Sequence, residues 1–190
     1  MTQTATASPG SLADLSGSWT LDPAHSSIGF VARHAMVTKV RGAFNEFEGS
    51  AVLDGEDLSR SRVTVVIQAK SIDTRNDQRD EHLRSNEFFA MDEYPQITFS
   101  STAASKTGDK ILELTGDLTI KGITRTVSVP FEFQGVACDP FGNLRAGFEG
   151  AVTINRKDFG VTWNAALETG GVLVSDKITL EFEISAIKNT

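Results

Sequence analysis

The chain has 190 residues, 39% of them hydrophobic and 23% charged, enough for one globular domain with a sizeable core and no need of disulfides. Its formal net charge of -7 argues against nucleic acid as a partner, because neutralising phosphates takes clustered Lys and Arg, and equally against a basic membrane-surface anchor. Aromatic usage is lopsided, 12 Phe against 2 Trp and 1 Tyr, which suits a dry interior with no ring OH or NH to satisfy.

Residues 1–17 are rich in Thr, Ala, Ser and Gly, with neither a basic n-region nor an apolar h-region. They read as a disordered lead rather than a secretory signal, so the expected location is cytoplasmic, with one domain over 18–190. No run approaches the roughly 20 apolar residues of a membrane-spanning helix. Trp19 to Asp22 reads as a short strand stopped by Pro23, and Ser26 to His34 as a strand with Ile28, Phe30, Ala32 and His34 on one side. Arg41 to Leu53 changes phase: Val40, Gly42 and Phe44 share one parity, while Phe47, Gly49, Ala51 and Leu53 share the other. A one-residue shift swaps faces, so a bulge at Asn45-Glu46 is the natural repair.

Arg62 to Lys70 alternates again, with Val63, Val65, Ile67 and Ala69 inward. The stretch from Asn76 to Ser85 has acidic groups early and Arg84 late, as a short surface helix would. It leads into Phe88, Phe89 and Met91, after which Tyr94-Pro95 restarts the sheet at Gln96. Leu112 to Ile120 and Thr126 to Phe133 alternate strictly about Lys121-Gly122, the pattern of a hairpin with one dry face. Asp139 to Asn143 reads as a turn, Leu144 to Ile154 as a strand, Asn155 to Gly171 as irregular, and Val174 to Ala186 as the last strand with Ile178, Leu180, Phe182 and Ile184 inward. Cys138 is the only cysteine and is expected to be a small buried hydrophobe.

With so little helix to cover it, a long one-faced sheet covers itself by curling. The expected fold is therefore all-β: an eight-stranded antiparallel lipocalin-like barrel with one or two short helices. Large inward residues (Phe30, Phe44, Phe99, Phe131, Phe148) accompany small ones (Ala32, Gly42, Gly116, Gly150). That pattern fits a filled interior and a hollow one equally well.

Seven segments, in order, resemble the YceI-like family of polyisoprenoid-binding, lipocalin-like barrel proteins. They are Asp22-Pro23-Ala24-His25-Ser26 with Phe30 and His34, Val40 to Phe44 with Phe47 and Gly49, Ser71 to Thr74, and Arg79 to Ser85. Phe88-Phe89 before Tyr94-Pro95 and Ile97 to Phe99, then Gly116 to Thr124, and finally Asn155 to Val161 complete the set. The resemblance implies an elongated barrel around a hydrophobic tunnel that takes an isoprenoid chain, such as an isoprenoid quinone, or a related amphiphile. Many members are exported to the periplasm; this chain resembles the cytosolic type of high-GC Gram-positive bacteria.

An isoprenoid tail offers no hydrogen bonds, so its site needs length, apolar walls and few polar groups. Wall candidates are Ile28, Phe30, Phe44, Phe99, Leu118, Ile120, Phe131, Phe148 and Ile178, although core packing is the simpler reading of any single one. Phe88 and Phe89 are placed to form a lid or rim. Arg79, Asp80 and His82, with Arg75 and Arg84, are head-group candidates, against the reading of a solvated helix face with pairs such as Asp80–Arg84. His34, at an inward parity, is either an interior histidine or a head-group donor. The three histidines have no metal-ligand spacing, and no nucleophile elbow, phosphate loop or dinucleotide fingerprint occurs. The favoured expectation is a carrier for an apolar chain-like lipid, with no cofactor, no metal and no catalysis. Alternatives are an enzyme acting on a lipid head group through His82 with Asp80 or Arg79, and a stress-response interaction module with a filled barrel. A homodimer through an exposed edge or mouth is compatible with all three.

Overall fold

The computed structural model describes residues 10–190, so the expected lead lies outside the described residues over 1–9. Eleven strand segments follow one another: β1 (Gly17–Leu21), β2 (Ser27–His34), β3 (Thr38–Phe44), β4 (Phe47–Leu53), β5 (Arg62–Gln68), β6 (Ile72–Asp73), β7 (Gln96–Lys106), β8 (Ile111–Ile120), β9 (Ile123–Cys138), β10 (Leu144–Asn155) and β11 (Lys177–Lys188). One α-helix, α1 (Asp77–Arg84), lies between β6 and β7. The ladder β1-β4-β5-β7-β8-β9-β10-β11 is closed by antiparallel pairing of β1 with β11, giving an eight-stranded up-and-down barrel. Closure removes the exposed edges that an open sheet would leave, except along β3 from Thr38 to Gly42, beyond its short pairing with β6.

Three barrel strands are composite. β1 and β2 both pair with β11, at Leu21↔Ala186 and at Ser27↔Glu183, and are separated by the turn at Pro23–His25. Pro23 has no N–H to give the ladder, and the Asp22 carboxylate accepts from the Ala24 N–H at 3.1 Å. β3 and β4 are split at Asn45-Glu46, where the phase of the sequence changes. β5 and β6 are split by the turn Ala69–Ser71. The pairs Phe44↔Ile72 and Phe47↔Ile67 straddle these last two breaks, so the strands kink at one level of the barrel.

The β8–β9 hairpin closes on Lys121 and Gly122, both at positive φ (52° and 74°). A Cβ on Gly122 would lie 2.7 Å from the Tyr94 ring, so glycine is required by both conformation and space. In α1 the Asn76 side chain accepts from the Arg79 N–H at 2.9 Å, and Asp77 and Asp80 sit in the first turn.

Two apolar clusters plug the barrel ends. One gathers Phe88, Met91, Phe159 and Val161 beneath α1 and the chain that follows it. The other gathers Leu12, Leu15, Trp19, Leu58 and Phe133. Residues 10–17, expected to belong to the disordered lead, are ordered because a turn at Leu12–Leu15 buries both leucines. Its start is held by the Asp14 carboxylate accepting from the Ser11 N–H at 2.7 Å, and Trp19 Nε1 donates to Leu15 O at 2.8 Å. Cys138, expected to be buried, is exposed, because β9 ends there beyond the barrel's rim.

Candidate functional site

Between the two plugs lies a cavity of about 300 Å³. Its wall is almost entirely carbon, drawn from the inward faces of the barrel strands. Three phenylalanines explain why the centre stays open. A Cβ on Gly42 would lie 2.3 Å from Phe30 Cζ, one on Gly116 2.5 Å from Phe99 Cζ, and one on Gly150 2.6 Å from Phe131 Cδ1. Each ring therefore lies flat over a neighbouring-strand glycine, filling that glycine's missing side chain instead of the lumen. Large beside small residues thus produce a smooth wall, not an interdigitated core.

The polar side chains at this wall are few and already engaged. Ser50 and Thr64 turn their side chains outward, where they hydrogen-bond each other at 3.1 Å, and the buried Ser61 Oγ accepts from the Asp54 N–H at 3.0 Å. Arg156 is 5% exposed. Its Nε donates to Ser175 O (2.9 Å), and Nη1 donates to Val161 O (2.7 Å) and Trp163 O (2.9 Å). Burial pushes the Arg156 pKa down, partly opposed by Asp176. This guanidinium ties the irregular chain after β10 to the barrel mouth. Within the motif Asn155 to Val161, nothing but its place just after a long alternating strand marks Arg156 for this role.

All eleven apolar candidates (Ile28, Phe30, Phe44, Phe88, Phe89, Phe99, Leu118, Ile120, Phe131, Phe148 and Ile178) line this one cavity. The polar candidates do not reach it. His34 is exposed rather than interior, because β2 runs past the barrel mouth and turns there through Ala35 and Met36. Asp80 is buried, yet it accepts from the Thr74 N–H at 2.9 Å and from the Thr74 hydroxyl, so it braces the entry to α1. Arg79 Nε donates to Thr74 Oγ1 and its Nη2 to Thr74 O, both at 2.7 Å. The expected Asp80–Arg84 pair does not form: Arg84 donates to Lys70 O at 3.1 Å and Ile72 O at 3.2 Å. His82 contacts Glu87 and stands edge-on to Phe88 and Trp163, with centroids 5.0 and 4.7 Å apart. It supports the plug from outside. Backbone carbonyls and a threonine claimed these groups, which parity and residue type alone do not reveal. Among the described residues no three His, Cys, Asp or Glu side chains converge as metal ligands.

A second polar cluster lies outside the cavity. Arg145 bridges Asp22 (2.6 Å) and Asp139 (2.8 Å), and His25 Nδ1 lies 2.7 Å from Asp22. The Asn143 N–H and then Arg145 hold the Asp139 carboxyl well below the usual carboxylate range. Arg145, above all, lowers that of Asp22.

The chain is similar to proteins of known sequence and structure. The UPF0312 protein SAB2563 of Staphylococcus aureus is 43% identical over 169 residues, 88% of this chain and 95% of that protein. The crystal structure of Burkholderia cenocepacia BcnA superposes with a TM-score of 0.77 at 26% identity, over 87% of this chain and 98% of that one. A polyisoprenoid binding domain from Saccharophagus degradans shares the fold at a TM-score of 0.69 and 14% identity, over 90% and 98% of the two chains. Residues 19–186 match the YceI-like domain, and the chain belongs to that family.

Proposed function

We propose that the protein binds an apolar chain-like lipid in the barrel interior, as a carrier or reservoir and not as an enzyme. The supporting observation is the carbon-lined cavity, whose buried polar side chains, Ser61 and Arg156, are already hydrogen-bonded within the protein. A ligand there gains from burial alone, and any head group stays at the mouth. The finer reading is a polyisoprenoid, such as an isoprenoid quinone; the polyisoprenoid-binding domain with the same fold supports it. An enzyme acting on the head group would need His82, Asp80 or Arg79 at the wall, whereas each is committed elsewhere.

The cavity's 300 Å³ holds roughly ten methylene-sized groups at about 30 Å³ each. Burying ten at about 0.8 kcal/mol apiece gives about 8 kcal/mol, micromolar affinity before ordering costs. A longer tail, the fifteen carbons of farnesol included, enters as wall side chains swing aside and its head group stays at the mouth. Native mass spectrometry and solvent extraction of purified protein test the reading: a co-purifying lipid, or saturable uptake of farnesol after delipidation, is expected. Protein that is reproducibly empty and takes up no such probe would refute it.

A further inference from the structure

We propose that the tip of the β2–β3 hairpin docks on a bilayer surface carrying anionic lipid, and so delivers the barrel mouth to the membrane. This deepens the carrier reading and rests on it. The tip turns through Ala35 and Met36 at positive φ (50° and 67°), which throws Met36 and Val37 outward at 59% and 73% exposure. Two adjacent apolar side chains at an exposed turn suit insertion into the interfacial region of a bilayer. Met36 also packs over Gly171 of the chain that Arg156 ties down, and Ala35 N–H donates to Leu173 O at 2.8 Å. The tip is thus fixed to the mouth.

Charge selects the partner. Arg33 and Lys39 are directly opposed across the hairpin, both are exposed, and neither forms an ion pair among the described residues. Like charges directly opposite repel, and the fold does nothing to neutralise them. The nearby acids Glu181 and Asp176 are engaged by Arg41 at 3.2 Å and Lys157 at 3.3 Å. Glu168, exposed on the adjoining turn, opposes the attraction. The net charge of -7 makes the rest of the surface unwelcome to an anionic bilayer, so the hairpin also sets orientation. From Ala32, where the cavity wall begins, two residues of β2, about 7 Å along the strand, lead to His34 and the turn.

The test is co-sedimentation of the full chain with phosphatidylcholine vesicles containing a quarter phosphatidylglycerol, against phosphatidylcholine alone. Farnesol uptake in solution is measured in parallel. At least tenfold tighter binding to the anionic vesicles is expected, falling steeply with salt. It should be lost in R33E/K39E, weakened several-fold in M36S/V37S and strengthened in E168K, with farnesol uptake unchanged in all three. Equal binding to both vesicle types, or binding that survives R33E/K39E, overturns the inference. So does self-association abolished by M36S/V37S, which would make a second copy the occupant. Farnesol uptake without vesicle binding sinks the docking and leaves the carrier reading standing; vesicle binding without uptake does the reverse.

Discussion

Gly42→Ala is the most direct probe of the open lumen. The three atoms nearest the new methyl carbon all belong to the Phe30 ring, at 2.3, 2.7 and 2.9 Å. Restoring the 3.4 Å of ordinary contact moves the ring about 1.1 Å off β3 and toward the lumen. Overpacking of this kind costs about 1–3 kcal/mol, and replacing a strand glycine by alanine returns about 0.5–1 kcal/mol. A net loss of about 1 kcal/mol lowers Tm by about 2–4 °C in a domain of this size. The displaced ring occupies on the order of one methylene's volume, so a filling ligand loses about 0.8 kcal/mol, near fourfold in Kd. Thermal melts and displacement of a fluorescent acyl probe read both effects. In a Phe30→Leu background the same substitution should cost almost nothing in either assay, because the clash is gone. Equal effects of Gly42→Ala in the two backgrounds would refute the account of how the wall is built. Gly116 and Gly150 are less clean sites, since a Cβ there also meets Ser100 O at 2.5 Å or Pro130 O at 2.8 Å.

Arg156→Ala strips the Val161, Trp163 and Ser175 carbonyls of their donor. A loss of about 3 kcal/mol is expected, with faster amide exchange between residues 161 and 175. Arg156→Lys should restore little of it, because a single ammonium cannot reproduce the planar fork, and full rescue by lysine would contradict this geometry. For acid stability the sign follows from Asp22 and Asp139, whose folded pKa values are depressed. Their contribution is complete above the unfolded value near pH 4 and is lost as pH falls through the lower folded values. Urea midpoints measured from pH 7 to pH 2 should therefore fall less steeply below pH 4 in Asp22→Asn/Asp139→Asn than in the wild type. Parallel curves would remove these two groups from the acid transition.

The barrel and its wall were legible because a period of two fixes which side chains face inward, whatever the exact ends of the strands. Phe30, Phe99, Phe131 and Ile178 all follow from that parity, and the phase change at Asn45-Glu46 marked a real break. Hollow against filled was not legible, because it depends on which way each ring lies relative to a glycine on another strand. Parity also fails where the barrel stops, which is why His34 was misplaced. Leu12 and Leu15 were hidden in a stretch whose average composition is that of a flexible tail, although two leucines three apart suffice to cap an apolar opening. Asp80 shows the remaining difficulty: a carboxylate on a polar helix reads as solvated until the Thr74 amide that it serves is placed beside it.

The breaks in the composite strands also leave one stretch of wall that no strand ladder closes. On the plugged Leu15–Trp19 side every strand has two hydrogen-bonded neighbours. Beyond the breaks, β6 pairs with β3 only at Ala43 and Phe44, so the edge of β3 from Thr38 to Gly42 meets no second strand among the described residues. The wall is completed there by side chains of α1 and the following turns, Leu83, Phe88 and Phe89. Parting them breaks no ladder hydrogen bond, whereas opening the barrel anywhere else breaks several. Amides of α1 and Ser85 to Tyr94 should therefore exchange well before those of β8 and β9, and lipid filling should slow the former selectively. Uniform exchange, or earlier opening at Leu12 to Trp19, would move the entrance to the opposite end. Because the free edge belongs to β3, it adjoins the hairpin proposed to touch the membrane, so docking and loading fall on one side of the molecule.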